Sequence, residues 1–243
     1  MERIDYLGPK RLALIQTDAA FPLGMDSMLL AQFATLRRNS RVFDLGCGIG
    51  TLMLLLFSRE ENITAAGIDI QEEAVLQAEK NLSYNSLLDK ASIQHGDLRT
   101  IPQTSPPGQW DLVISNPPYF APSSGKQAKL HVRAQTRTAL FCSPEDLCKT
   151  AAHLLHPKGR FALVLRPEYL ERWMLALHHY GLTPKRLRCV HHTPETPPSI
   201  LLLESVRCGK MGITILPPLF AAKWNAHHAN QPEIPTATVG QEE

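Results

Sequence analysis

The strongest constraint on the fold is an alternation. Short apolar runs at 41–45, 63–70, 91–95, 110–115 and 160–165 read as buried strands, and helix-like stretches at 51–59, 71–85, 144–155 and 167–180 lie among them. Glu72 and Glu73 fall in the first turn of the second stretch, where acids favour the positive helix end. Pro167 opens the fourth, where a first turn tolerates proline. Strands alternating with helices predict an α/β fold with a parallel, doubly wound sheet and helices on both faces. Two more strands follow at 185–191 and 199–207, joined by His192-Thr-Pro-Glu-Thr-Pro-Pro198. That connection is too short for a helical crossover, so the two pair antiparallel. The expectation is a mostly parallel seven-stranded sheet with one reversed strand. Residues 1–40 read as an N-terminal extension, residues 41–220 as the main domain, and residues 221–243, rich in Pro, Asn, Ala and Thr, as a flexible tail.

Composition excludes little beyond disorder: 44% hydrophobic and 20% charged residues are ordinary globular values. A formal net charge of +2 does not by itself argue for nucleic acid, but its distribution is uneven. Lys126, Lys129, Arg133 and Arg137 occupy 123–138 without an acid among them; Lys185, Arg186 and Arg188 form a second basic stretch; acids gather between 60 and 97. A basic rim beside an acidic region suits a polyanionic substrate, and two solvated loops are the alternative. Five dispersed cysteines without a Cys-x-x-Cys pair argue against a disulfide framework and a structural zinc site, and most are expected to be small buried hydrophobes. The N-terminus lacks a signal-peptide pattern, and the densest apolar run, 52–57, is too short to span a bilayer. A cytoplasmic protein with no membrane partner is expected.

The first strand runs into Asp44-Leu-Gly46-Cys-Gly48-Ile-Gly50 at a strand-to-helix junction, where open α/β sheets bind ligands. Glycines there admit a ligand close to the backbone and leave amides free at a helix start. The dinucleotide fingerprint Gly-x-Gly-x-x-Gly is not met, because its last place falls on Thr51 or Met53. Gly-x-Gly-x-Gly with an acid two residues ahead instead resembles the first motif of class I methyltransferases, a Rossmann-like fold. That resemblance implies S-adenosyl-L-methionine as cofactor, with the loop at its methionyl part and Asp44 at its ammonium, directly or through water. The cofactor has no pyrophosphate, so a carboxylate is tolerable there. Asp69, about twenty residues on at the end of the next strand, can accept hydrogen bonds from both ribose hydroxyls. Asp97 stands where the same family contacts the adenine amine; a helix or turn cap is the plainer role for it. The cofactor set is therefore Asp44, Gly46, Cys47, Gly48, Gly50, Asp69, Ile70, Asp97 and Asn116, with no metal ligand.

Asn116-Pro117-Pro118-Tyr119 follows the fourth strand and so belongs on the same rim. The Asn116 side-chain oxygen and the Pro117 carbonyl can each accept a hydrogen bond from an –NH2 group, and two prolines stiffen the turn. An amine conjugated to a base or an amide is a poor nucleophile. Two acceptors on its hydrogens favour a pyramidal nitrogen and stabilise the charge that arises as methyl is taken. The sulfonium is already activated, so the chemistry needs no metal and no strong base; the proton can leave to water. Tyr119 would stack on a planar substrate. Adenine, the exocyclic amine of guanine and a glutamine amide all satisfy this motif.

Distant segments agree on one family. Glu2-Arg-Ile-Asp-Tyr-Leu7, Ile15-Gln16, Phe21-Pro-Leu-Gly-Met-Asp26 with Leu30-Ala31, and later Pro184-Lys-Arg186, Val190-His191, Leu203-Glu204, Gly209-Lys210 and Ile215-Leu-Pro-Pro-Leu219 resemble bacterial tRNA (adenosine-37 N6)-methyltransferase-like proteins. The likeness covers residues 2–220. It implies that Asn116, Pro117, Pro118 and Tyr119 hold a flipped adenine of a tRNA anticodon loop and that the N-terminal segment helps cover the cofactor. The basic stretch Lys126, Lys129, Arg133 and Arg137 would hold flanking phosphates. Two places depart from the family pattern: Thr136-Arg137-Thr138-Ala139 keeps only the arginine of a usual Ala-Arg-His-Glu block, and Cys208-Gly209 replaces a glycine pair. A protein glutamine methyltransferase, an rRNA guanine methyltransferase and a non-catalytic cofactor- or RNA-binding subunit are the rival readings; the first resembles a helical bundle plus catalytic domain, for which about forty leading residues are too few.

Overall fold

The computed structural model describes residues 2–17, 23–117 and 142–221. Two short strands, β1 (Glu2–Leu7) and β2 (Leu12–Thr17), pair antiparallel apart from the main sheet, and α1 (Met25–Phe33) follows. Then come β3 (Arg41–Leu45), α2 (Thr51–Arg59), β4 (Thr64–Asp69), α3 (Glu72–Tyr84) and β5 (Ala91–His95). A short α4 (Ile101–Thr104) leads to β6 (Trp110–Ser115). The remainder is α5 (Pro144–Leu154), β7 (Leu155–Leu165), α6 (Leu170–His179), β8 (Leu182–His191), β9 (Pro198–Arg207) and β10 (Thr214–Phe220). No helix among the described residues is long and apolar enough to cross a membrane.

The main sheet has the order β10-β8-β9-β7-β6-β3-β4-β5, and β9 alone runs against its neighbours. The sequence expectation of one reversed strand holds, but the described sheet has eight strands rather than seven. The extra one is β10, parallel to β8 at the open edge. Pro217 and Pro218 disguise it in the sequence, because proline cannot donate to a ladder. An edge strand tolerates them, and the pairing shifts register between Leu216 and Leu219 where they sit. The fourth helix also begins later than expected: Pro167–Tyr169 is a 3-10 turn, and α-helical geometry starts at Leu170. By contrast α5 opens on a capping box, in which Ser143 Oγ accepts from the Asp146 amide and the Asp146 carboxylate accepts from the Ser143 amide.

The sheet is buried on both faces. One core contains Val42, Met53, Leu54, Phe57, Leu112, Ile114 and Ala162; the other contains Phe43, Leu45, Val113, Phe161, Leu163 and Trp173. Alternation along β3 therefore sends Val42 and Asp44 to the first face and Phe43 and Leu45 to the second. Of the five cysteines only Cys47 and Cys148 are buried; Cys142 and Cys189 are half-buried and Cys208 is exposed, so the expected burial holds for two.

The N-terminal pair of strands is fastened to α3 by amide side chains spaced four residues apart. Asn81 Oδ1 accepts from the Ile15 amide at 2.8 Å, Asn85 Oδ1 accepts from the Ala13 amide at 2.8 Å, and Gln77 Nε2 donates to the Ile15 carbonyl at 3.0 Å. These side chains satisfy the outer edge of β2 as a third strand would. Asn81 Nδ2 also donates to the Ile49 carbonyl at 2.9 Å, inside the loop that follows β3.

Helix α1 is gripped at its C-terminal end by a buried carboxylate. Glu204, on β9 and 0% exposed, accepts from the Thr35 amide at 2.7 Å and the Thr35 hydroxyl at 2.9 Å. It pairs with Arg160 on β7 at 2.8 Å and with Arg186 on β8 at 3.1 Å. Arg186 also lies over the Phe33 ring at 4.6 Å, and Arg59 donates to the carbonyls of Ala31 and Ala34 at the helix end. Arg186 is thus no member of a solvated basic rim: the one buried acid of β9 holds it inward. Removing one member of such a buried group leaves the others uncompensated, at a cost of about 3–5 kcal/mol. Glu204→Gln is expected to lose about that much stability in urea denaturation; a loss below about 1 kcal/mol would show that the group is not cooperative.

Candidate active site

Four strand ends build the site. Beyond β3 the chain turns through Gly46, Gly48 and Gly50, all with positive φ (76°, 52° and 84°), into α2. A side chain at Gly46 or Gly48 would meet nothing within 4 Å, so both positions face open space, and the left-handed backbone there suits glycine. Packing beneath the loop is tight. At Gly67 in β4 an added Cβ would come within 2.9 Å of Cys47 Cβ and Met53 Cε, so a bare backbone lets loop and helix settle on the sheet.

Asp69 at the end of β4 holds the loop in place. Its carboxylate accepts from the Gly48 amide at 2.8 Å and from the Gln71 amide at 2.9 Å, leaving each oxygen a further lone pair. The Gly46 and Cys47 amides both donate to the Ile68 carbonyl, at 2.9 and 3.1 Å. Asp44 is different. It is 0% exposed, and neither carboxylate oxygen has a hydrogen-bond partner among the described residues. Burial, and then the neighbouring charge of Asp69, push its pKa well above the usual carboxylate range. Burial likewise raises the Cys47 thiol, with Asp44 and Asp69 adding to the effect, so this cysteine is a neutral thiol.

The turn that begins at Asn116 leaves β6. Pairing of β3 with β6 is parallel, ending at Asp44 opposite Ile114, and just past it the Ser115 hydroxyl donates to the Leu45 carbonyl at 2.7 Å. Gly46 and Asn116 thus leave adjacent strands at matching heights. Asn116 Nδ2 donates to the Ser27 hydroxyl of α1 at 2.9 Å. Its Oδ1 has no donor among the described residues and remains an acceptor. Pro117 is the last described residue of this turn; Pro118 and Tyr119 lie outside the described residues, as do Lys126, Lys129, Arg133 and Arg137.

A pocket opens between the glycine loop and the ends of β4 and β5, lined by Gly46, Ile68, Asp69, Ile70, Gly96, Asp97, Leu98 and Cys142. Ile70 reaches it, 39% exposed, with its carbonyl bonded to His95 Nε2 at 3.1 Å. Asp97 lines it too, but its carboxylate already caps the 3-10 turn Leu98–Thr100 by accepting from the Arg99 amide at 2.9 Å, and it pairs with the Arg99 side chain. The Arg99 hydrogen bond holds the Asp97 carboxyl below its ordinary pKa. Any further donor at Asp97 shares oxygens with Arg99. Cys142 and Ser27 were not anticipated. Cys142 enters from beyond the turn, its thiol pushed up to about 12 by burial and by the charges of Asp146 and Asp97. No sequence signal marks Ser27, which lies 89 residues from its partner.

These features fit a small cationic ligand. A buried carboxylate without a partner among the described residues accommodates a positive charge, a glycine turn facing open space admits a chain beside the backbone, and the pocket past Asp69 offers apolar lining from Ile68, Ile70 and Leu98. Among the described residues no three His, Cys, Asp or Glu side chains gather as a metal site.

Comparison with known proteins identifies the family and the fold. The methyltransferase small domain family matches residues 23–177. A tRNA1(Val) (adenine(37)-N6)-methyltransferase of Parabacteroides distasonis is 32% identical over 201 residues, 82% of each chain, and one of Tolumonas auensis is 31% identical over 204 residues, 81% of each. Among solved structures, a predicted O-methyltransferase from Agrobacterium tumefaciens superposes with a TM-score of 0.65 at 20% identity, covering 82% of this chain and 88% of that one. A geranyl diphosphate C-methyltransferase from Streptomyces coelicolor, solved with S-adenosyl-L-homocysteine, gives 0.56 at 13% identity over 74% and 79%. At those identities the structural likeness speaks for the fold, which is the class I methyltransferase fold. Family match, relatives and fold converge: the chain belongs to the methyltransferase small domain family, and its relatives there include tRNA1(Val) (adenine(37)-N6)-methyltransferases.

Proposed function

We propose that this methyltransferase uses S-adenosyl-L-methionine to methylate N6 of the adenosine at position 37 in the anticodon loop of a tRNA, in the cytoplasm. One observation carries the reading: a buried carboxylate without a partner among the described residues, Asp44, and an amide acceptor, Asn116, stand within two residues of each other in register on adjacent strands, tied by the Ser115–Leu45 hydrogen bond. When bound, the cofactor supplies a methyl group already activated on a sulfonium. Asp44 receives its ammonium, Gly46, Cys47, Gly48 and Gly50 run along the methionyl chain, Asp69 takes the ribose hydroxyls, and Ile70 and Asp97 border the adenine. Asn116 Oδ1 and the Pro117 carbonyl accept the two hydrogens of the target amine, which localises its lone pair and stabilises the positive charge that grows on nitrogen. Pro118 stiffens the turn and Tyr119 stacks on the base. An anticodon loop offers bases that are already unstacked and cheap to splay out. The basic side chains Lys126, Lys129, Arg133 and Arg137 take the flanking phosphates.

The direct test is labelled methyl transfer into RNA from a strain lacking the protein, followed by nucleoside mass spectrometry. N6-methyladenosine in the tRNA fraction is expected; label in a guanosine of rRNA or in protein would overturn the substrate. Asn116→Ala is expected to lower turnover by about 100-fold or more, the scale of removing one transition-state hydrogen bond, while cofactor affinity stays within a few-fold.

Asp44 generates a pH signature. Its pKa in the fold lies above its unfolded value, so between the two the native state holds the extra proton and stability falls as pH rises. Without cofactor, the wild type should lose stability from about pH 4 upward, with a slope of at most about 1.4 kcal/mol per pH unit. Asp44→Asn should flatten that slope in thermal melts and weaken S-adenosylmethionine binding at least about tenfold, near 1.4 kcal/mol. An unchanged slope together with unchanged affinity would remove Asp44 from the cofactor set. For RNA, replacing Lys126, Lys129 and Arg133 together should weaken binding and lower the log–log salt slope by about 2 to 3; equal binding at low and high salt would refute their role.

A further inference from the structure

Asn116 is useful as an acceptor only in one of two orientations. The terminal torsion of an asparagine is soft, and the flipped amide has almost the same shape. Flipped, it would present Nδ2 to the incoming amine, donor against donor. The partner that anchors the side chain in the acceptor orientation comes from outside the turn. Ser27 Oγ accepts from Asn116 Nδ2 at 2.9 Å, which turns Oδ1 the other way. Neighbouring Pro117 has no N–H with which to engage Oδ1.

Ser27 is itself held rigidly. It lies in the first turn of α1, three residues after the N-cap Gly24. The far end of that helix is fixed by Thr35 on Glu204, by Arg59 on the terminal carbonyls and by Phe33 beneath Arg186. Leu29 and Leu30 between the two ends are fully buried. The hydroxyl is thus carried on a rod anchored in β7, β8 and β9, independently of the turn it meets.

We propose that Ser27 is a positioning residue for methyl transfer: its hydroxyl anchors the Asn116 side chain through Nδ2, in the placement that leaves Oδ1 to the target amine. The proposal rests on the reading of Asn116 as an amine acceptor. It acts through Asn116 and not through the cofactor, so its loss falls on turnover rather than on binding.

The experiment compares full-length wild type, Ser27→Ala and Ser27→Thr in methyl transfer to tRNA, with cofactor affinity measured alongside. Ser27→Ala is expected to lower kcat about tenfold while the KM for tRNA and the Kd for S-adenosylmethionine stay within twofold. Ser27→Thr, which keeps a hydroxyl at the same position, should restore kcat to within about threefold of wild type. Wild-type kcat in Ser27→Ala overturns the proposal, as does a loss confined to KM or Kd, or one that threonine does not repair. Asn116→Ala separates the two levels. Near-normal turnover there removes the acceptor reading itself; an inactive Asn116→Ala beside a full-speed Ser27→Ala removes only the role of Ser27.

Discussion

The pairing of β3 with β6 is the constraint on which the site depends. Strand register is a discrete choice, and a slip of one residue would turn Asp44 to the opposite face and carry the Asn116 turn away from the glycine loop. The hydrophobic pattern fixes that choice, because Val42 and Phe43 must enter different cores. The Ser115 hydroxyl then extends the pairing one residue past the last ladder contact. Both loops begin immediately beyond this hydrogen bond, so neither can splay from the other without breaking it. The sheet thus brings the two loops side by side, the juxtaposition that direct transfer between them would require.

Two carboxylates on this sheet are equally buried and entirely unlike. Glu204 accepts from a backbone amide, a hydroxyl and two guanidinium groups, and it joins α1 to three strands. Asp44, also 0% exposed, has no partner among the described residues. The first arrangement stabilises one conformation. The second opposes folding at neutral pH unless the carboxyl takes up a proton, a cation or a bound water. A buried acid left incomplete at a glycine turn marks where binding energy is available, whereas the completed one marks where structure is held.

Much of this was legible in the sequence, for reasons that differ by element. Residues 41–45 and 110–115 are short, apolar and bounded by glycine or asparagine, and they fold as the period predicts, to the residue. Asp44 and Asp69 could be placed in advance because they sit at the ends of strands around a glycine turn, and the structure puts them there. Strand β10 escaped notice because two prolines contradict the ordinary signal, which an edge position overrides. Arg186 looked like part of a basic surface, since charge patterning along a chain cannot foresee that Glu204 and Thr35, 169 residues apart, will meet beneath it. Ser27 carries no chemical flag at all: a serine in a helical first turn is commonplace, and only the packing of α1 over the sheet gives it a partner.

The prolines of β10 have a consequence beyond register. A strand at the rim of a sheet offers a row of free amides and carbonyls to any extended chain that drifts past, and this rim also carries Ile215 at 68% exposure. Two successive residues without an N–H leave a gap in the middle of that row, just after the most apolar side chains. The rim therefore makes a poor template for stray strands, and the molecule can keep a greasy border without inviting its own copies to add to it.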